Sequence, residues 1–288
     1  MPGNWFGSVA DARARLESTG YISTDEIATT VYLAGQLGKP LLVEGPAGVG
    51  KTGLAIAVAE ATGAELVRLQ CYEGLDETRA LYEWNYKKQL LRIQASSTDA
   101  GWAAVHDDVF SSEFLLERPL LRAIRRTGPT VLLIDETDKA DVEVEALLLE
   151  VLADFQVTIP ELGTVTALAQ PFVVLTSNAT RELSEALKRR CLFLHVGYPD
   201  AERERTIVLS RVPEAGEQLA ARVVQAIRAL RSLDLRKKPS IAETIDWTRT
   251  ALALDAPEFD DALVRSTLGV VLKHVSDQER AAERLGLG

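Results

Sequence analysis

Short apolar runs bounded by turn residues recur along the first two thirds of this chain, and between them apolar residues repeat every three or four positions. The first pattern reads as buried strands and the second as amphipathic helices. Residues 1–20 are small, polar and irregular and are expected to form a loose arm. Ser23-Thr24-Asp25-Glu26 opens a helix, with Ser23 and Glu26 spaced as a capping box, and Gly38-Lys39-Pro40 ends it. Leu41-Leu42-Val43 is the first strand. Leu54, Ala57, Val58 and Ala61 line the next helix, which stops at Gly63, and Glu65–Gln70 is the second strand. Strand, helix, strand in that order implies a parallel sheet.

Residues 71–94 are less regular. Leu81–Tyr86 alternates bulky and polar residues, Lys87-Lys88 is placed for a turn, and Gln89–Gln94 follows, so a β-hairpin is expected, with a helix as the alternative. Ser96–Gly101 reads as a loop and Glu113–Arg126 as a helix ended by Gly128-Pro129. Thr130–Glu136 is a continuous apolar run ending in two acids, as a buried parallel strand delivering polar groups at its C-terminal edge would read. Val144, Leu147, Leu148, Val151 and Leu152 mark an amphipathic helix. Residues 155–169 read as a second hairpin turning at Pro160–Gly163. Phe172–Asn178 is a fourth core strand with a polar end, and a helix over Leu183–Arg190 leads to a fifth at Leu192–Val196. From Pro199 onward no strand pattern recurs. Val223, Ile227 and Leu230 line one helix, Ser240-x-x-Glu243 caps another, and Phe259, Leu263, Val264, Leu268, Val271, Leu272 and Val275 line a last long one. The expected organisation is an α/β domain over residues 1–197 and an all-helical domain over residues 198–288.

Composition narrows the class. Of 288 residues, 47% are apolar and 26% charged, which suits a soluble chain with a real core. No apolar run reaches bilayer-crossing length, and Met1–Phe6 lacks the basic and apolar regions of a signal peptide. Cys71 and Cys191 lie far apart with no C-x-x-C pattern, so they are expected to be small buried hydrophobes, not a disulfide or zinc site. His106, His195 and His274 are scattered and expected to be structural. These features suit the cytoplasm. The formal net charge of −10 repels nucleic acid overall, so a nucleic-acid partner is not expected.

The first strand runs straight into Gly45-Pro46-Ala47-Gly48-Val49-Gly50-Lys51-Thr52, a G-x-x-x-x-G-K-T loop followed by a helix. That context is what a phosphate-binding loop requires. Its glycines let several backbone N–H groups face one phosphate chain, at the positive end of the helix. Lys51 is expected on the outer phosphates of ATP and Thr52 on Mg2+. Hydrolysis also needs a magnesium-linked acid and a group that orients water. Asp135, ending an apolar strand, fits the first role, and Glu136 the second. Asn178 ends another core strand, where it contacts the water or γ-phosphate, or simply makes a turn. Lys188-Arg189-Arg190 closes a short helix; the cluster reads equally as dipole partners or as an arginine finger for a neighbouring subunit's ATP.

The loop, the Leu132-Leu133-Ile134-Asp135-Glu136 strand end, the Thr176-Ser177-Asn178 strand exit and the terminal helices together resemble an AAA+ ATPase. Gln156-Val157-Thr158, followed by a hairpin and Phe172–Asn178, resembles the MoxR branch. More narrowly, Leu69–Asp76, Tyr82–Tyr86 and Asp154–Val165 are similar to CoxD-type ATPases, which are associated with maturation of carbon monoxide dehydrogenase and related molybdenum hydroxylases. The resemblance runs from about Gly20 to near the C-terminus. It implies a P-loop NTPase fold: α/β, a parallel five-stranded sheet sandwiched by helices, with a C-terminal all-helical lid and two inserted β-hairpins. By position it places Lys51 and Thr52 on Walker A, Asp135 and Glu136 on Walker B, Asn178 on sensor 1 and Arg190, with Arg189 beside it, on the arginine finger. Where a sensor 2 arginine is expected stands Ala242, which leaves Arg236 and Arg249 as substitutes.

The resemblance further implies a homo-oligomeric ring, a hexamer, with ATP at subunit boundaries, a client metalloenzyme and a von Willebrand factor A-domain adaptor. Tyr72, Trp84 and Tyr86 either grip that client or pack their own segment, and packing is the commoner use of such spacing. The implied activity is ATP hydrolysis coupled to client remodelling. Two other readings stand beside it: a nucleotide-switched assembly module with little turnover, and a nucleic-acid-associated AAA+ ATPase.

Overall fold

A computed structural model describes residues 5–95, 108–256 and 259–286 of the chain, so the expected Ser96–Gly101 loop and His106 lie outside the described residues. The chain forms two compact units, one of Met1–Glu44 with Thr52–His195, the other of Gly45–Lys51 with Val196–Gly288. The strands are β1 (Leu41–Glu44), β2 (Glu65–Gln70), β3 (Tyr82–Trp84), β4 (Leu115–Glu117), β5 (Thr130–Asp135), β6 (Gln156–Ile159), β7 (Gly163–Thr166), β8 (Phe172–Ser177) and β9 (Leu192–His195).

Five of them make a parallel sheet in the order β2-β5-β8-β1-β9. Every residue of β5 and β8 is buried, as are the first three of β1. Strands covered on both faces have no solvent side to alternate toward, which is why these read as unbroken apolar runs. Leu132, Ile134, Val173 and Leu175 pack against Leu120, Ile124, Leu148 and Val151 from the helices Pro119–Arg125 and Val142–Asp154. The register pairs Gln70 with Asp135 and Glu44 with Ser177. The C-terminal ends of β1, β5 and β8 are therefore neighbours, and each continues into one of the polar segments singled out by the sequence.

Several local expectations are corrected. The expected loose arm over residues 1–20 is not what its described part, from residue 5, shows: Val9–Ser18 is a helix, N-capped by Ser8, with Ala12 and Leu16 fully buried, and Phe6 ahead of it is buried too. Its apolar side is too narrow to register as a stripe. Trp5 packs edge-on against Phe172 at 5.5 Å, and Arg15 donates to the carbonyls of Trp5 and Ala61. The next helix is capped by Thr24, whose hydroxyl accepts from Ile27 N, and not by a Ser23–Glu26 box.

The first hairpin does not form. β3 pairs antiparallel with β4, and Tyr86–Ala95 is a helix. Asn85 Oδ1 accepts from Lys88 N, so Lys87-Lys88 lies in a capped first turn. Gln89 is buried and donates to Val109 O. The expected helix over Glu113–Arg126 is split, because Leu115–Glu117 is the strand that β3 needs. The second hairpin forms as β6 and β7, from Gln156↔Thr166 to Ile159↔Gly163.

The second unit contains helices Ala201–Arg211, Gly216–Ser232, Ile241–Ala253, Asp261–Val271 and Val275–Arg284, with no strand among its described residues. The expected last long helix is broken after Val271, where Leu272 is extended, and Val275 is exposed on the following helix. Trp247, with no exposed surface, anchors the core; it packs edge-on against Phe259 at 4.9 Å and donates to Thr267 Oγ1. The capping box of Ser240 and Glu243 is present. Among the described residues no helix is long and apolar enough to cross a membrane.

Candidate functional site

β1 delivers the chain to the loop Gly45–Lys51. Close approaches account for two of its glycines. A Cβ at Gly45 would lie 2.0 Å from Val196 O, and one at Gly48, where φ is +74°, would lie 2.3 Å from Ser240 Oγ. A side chain at either place would collide, so the backbone stays bare, as contact with a phosphate chain requires. Lys51 is buried, and its Nζ donates to the carbonyls of Gly45 and Pro46, both at 2.7 Å. The ammonium is thus already curled into the loop that a polyphosphate would occupy, and charge-assisted bonds to phosphate are stronger than those to neutral carbonyls. The residues present fit that group.

Thr52 follows in the chain. Its Oγ1 donates to Asp135 Oδ1 at 3.0 Å, and Thr176 Oγ1 donates to the same oxygen at 2.5 Å. Arg68 takes the other oxygen, Nη2 to Oδ2 at 2.5 Å. Asp135 is only 2% exposed, so these partners satisfy a carboxylate that water does not reach. The hydroxyl and buried carboxylate also form a hard oxygen pair of the kind magnesium takes.

Glu136 has left-handed backbone, φ 57° and ψ 47°, uncommon outside glycine and worth about 1–3 kcal/mol of strain. Its amide donates to Thr176 Oγ1 at 2.9 Å, so one hydroxyl serves both acids. Its carboxylate accepts from Gln70 Nε2 at 2.9 Å and from Lys139 Nζ at 2.7 Å. Sequence reasoning had selected Thr52, Asp135 and Glu136 but missed Arg68, Gln70, Lys139 and Thr176. The available signal was alternation: Arg68 and Gln70 stand two apart on β2, and Gln70 is in register with Asp135.

Asn178 leaves β8, and its amide donates to Asp138 Oδ1 at 3.1 Å. The same carboxylate accepts from the amide and hydroxyl of Thr180. Burial pushes the Asp138 carboxyl upward, but these three hydrogen bonds outweigh it and hold it below the usual carboxylate range. Glu145 behaves likewise: burial is outweighed by Ser184 N and the Arg181 guanidinium. Two buried acids thereby pin residues 178–184, which lead to helix Glu185–Arg190. Arg189 and Arg190, at its last turn, are exposed, and no described residue forms a salt bridge or hydrogen bond with their side chains. Lys188 differs, pairing with Glu182 and Glu185.

In the second unit, Ala242 is exposed in the first turn of Ile241–Ala253. Arg249 makes only a surface pair with Asp246 at 3.7 Å, and Arg236 is held through its amide by Asp277. Burial pushes the Cys71 and Cys191 thiols up to about 12, so neither is a reactive thiolate; Cys71 is buried and Cys191 half-buried. Trp84 is buried edge-on against Phe110 at 5.2 Å, whereas Tyr72 and Tyr86 are exposed.

The AAA domain, in its dynein-related subfamily, matches residues 40–191, just over half of the chain. The chain belongs to this family. The match spans the phosphate loop, the Asp135–Glu136 strand end, Asn178 and Arg190. As an AAA domain, the chain has the nucleotide-binding fold of an ATPase-type NTPase. Its similarity reaches further along the chain in uncharacterised proteins of staphylococci. It is 26% identical over 226 residues to one from Staphylococcus epidermidis RP62A, covering 76% of this chain and 78% of the relative. It is 25% identical over 247 residues to one from Staphylococcus saprophyticus, covering 83% and 86%. A third, from Staphylococcus aureus USA300, is 26% identical over 225 residues, covering 76% and 77%.

Proposed function

We propose that this AAA protein is a MoxR-branch ATPase that couples ATP hydrolysis to remodelling or maturation of a client metalloenzyme. The observation that carries the ATPase reading is the cluster in which Thr52, Thr176, Asp135 and Glu136 share hydrogen bonds. In this reading the loop amides of Gly45–Gly50 and the Lys51 ammonium hold the ATP phosphates. Thr52 and Asp135 hold Mg2+, which supplies charge neutralisation of the phosphate oxygens when bound. Glu136 orients the attacking water and Asn178 fixes its position beside the γ-phosphate. Arg190, exposed and with no side-chain partner among the described residues, completes the site of a neighbouring subunit and offsets transition-state charge there. This reading calls for a homo-oligomer, which we take to be a hexameric ring, acting in the cytoplasm where ATP is supplied.

The client assignment rests on the stretches Leu69–Asp76, Tyr82–Tyr86 and Asp154–Val165, which resemble CoxD-type ATPases. It names a molybdenum hydroxylase of the carbon monoxide dehydrogenase kind as client, with a von Willebrand factor A-domain adaptor. Of Tyr72, Trp84 and Tyr86, the two tyrosines are exposed and available to it. A second reading, a nucleotide switch with little turnover, is favoured by one observation: Gln70 and Lys139 both hold the Glu136 carboxylate. Phosphate release by the assembled protein separates the two. Sustained turnover that vanishes in Glu136→Gln while ATP is still bound supports the ATPase. Parent-rate turnover in Glu136→Gln removes the assignment, and one slow turnover per subunit favours the switch. Hydroxylase maturation that proceeds normally in cells lacking this protein would eliminate the client assignment.

A further inference from the structure

We propose that Arg68 is a built-in counter-ion that competes with the divalent cation for Asp135 and so sets the cation concentration at which the site fills. The inference rests on the nucleotide-binding reading above. Asp135 is buried, and these partners divide unevenly: Oδ1 receives two neutral hydroxyls, while Oδ2 receives a full positive charge from Arg68. Lys139 also senses Asp135, but its ammonium is bonded to Glu136. Burying a carboxylate without a charged partner is costly, and Arg68 is a charged partner that offsets the burial of Asp135.

The manner of pairing shows that Arg68 is placed to leave. The second unit contains a buried ion pair made to stay: Arg231 grips Glu204 through two nitrogens, at 2.6 and 2.8 Å, with 8% and 0% side-chain exposure, and donates a third bond to Pro239 O. Arg68 touches Asp135 through a single nitrogen, and its side chain is 51% exposed. It stands on β2, the edge strand of the sheet. The same nitrogen also donates to Gln70 Oε1 at 2.6 Å, a neutral tether two residues along the strand. A divalent cation on Thr52 and Asp135 would face a guanidinium on the same carboxylate, and like charges at that range repel strongly. Filling the site therefore requires Arg68 to swing toward solvent, and the apparent cation affinity is lowered by the work of displacing it.

The test uses the full chain and a fluorescent ADP, titrated with MgCl2. Arg68→Gln, which keeps a hydrogen-bonding group but no charge, is expected to lower the half-saturating Mg2+ concentration by about tenfold, a modest shift because the half-exposed guanidinium is largely screened by solvent. Arg68→Lys, which keeps the charge, is expected to stay near the parent value. A merely structural role would move stability alone, so thermal unfolding is read in parallel. Arg68→Gln should unfold earlier than the parent in metal-free buffer, with the gap closing when Mg2+ and ADP are added. ADP binding with an Mg2+ curve unmoved, or shifted to higher Mg2+, in Arg68→Gln overturns this inference alone. Absence of Mg2+-dependent ADP binding in the parent chain removes the nucleotide reading and this inference with it.

Discussion

Thr176→Val isolates the element on which both acids depend. Thr176 Oγ1 donates to Asp135 Oδ1 at 2.5 Å and accepts from Glu136 N at 2.9 Å, at 1% exposure. Valine keeps the shape and suits a buried strand, but it removes both bonds. A hydrogen bond to a charged group contributes about 1.5–3 kcal/mol, and leaving a buried amide unpaired costs about 1–3 kcal/mol. The extra buried methyl returns about 0.8 kcal/mol. The net expectation is a loss of about 2–5 kcal/mol. At about 2–4 °C per kcal/mol for chains of this order of size, the first unit should melt roughly 4–20 °C earlier. Thr176→Ser, which restores the hydroxyl, should recover most of that. The assay is urea and thermal unfolding of the three proteins side by side, with phosphate release measured at a temperature where all are folded. Turnover should fall by at least about tenfold in the valine variant, because the left-handed backbone at Glu136 loses the bond that anchors it. A valine variant within about 0.5 kcal/mol of the parent, the scatter of neutral surface changes, would show that the shared hydroxyl does not hold the acids.

Lys51→Ala removes the buried ammonium of the loop and should weaken ATP binding by about 100-fold by equilibrium dialysis, the scale of two charge-assisted bonds; unchanged affinity would mean the loop is not the phosphate cradle. Arg190→Ala should keep ATP binding but lose about 10³-fold in turnover, and mixing it with Lys51→Ala subunits should restore part of the activity if the arginine acts across a subunit boundary. No recovery on mixing would place Arg190 outside the neighbouring site. For pH, Asp138 and Glu145 both sit below the usual carboxylate range. Their contribution is therefore fully present above the ordinary carboxyl pKa of about 4 and is lost as pH falls through their lowered folded values. Asp138→Asn should flatten the acid limb of a stability-versus-pH curve, and an unchanged limb would show that Thr180 and Asn178 do not stabilise the ionised form.

The local chemistry of the site was legible because it is carried by contiguous words. Gly45–Thr52 must follow a strand and open a helix, and a run such as Thr130–Asp135 has to be buried on both faces. Short-range signals failed where two interpretations share one pattern. The alternation of Tyr82–Trp84 marked a strand correctly, but its partner is Leu115–Glu117, beyond any turn that local spacing suggests. Asn85 is a helix cap that resembles a turn residue until Lys88 N is seen to bond to it. The N-terminal helix was missed because Ala12 and Leu16 alone form too thin a stripe.

By itself, the sequence determined the residue types available for phosphate and metal chemistry, the parallel order of strands and helices, and the loss of strands after Pro199. Those properties depend on hydrophobic period and on motifs whose spacing is fixed by backbone geometry. Only the tertiary structure decided who partners whom. It set Arg68 on Asp135, Gln70 and Lys139 on Glu136, one threonine hydroxyl between the two acids, and Asp138 beneath Asn178. Most of these pairings cross from strand to strand through the β2-β5-β8 register, and the rest turn on loop geometry at the strand ends. Neither is written in a local stretch of chain, because they depend on which strands pair and how the backbone bends where they end.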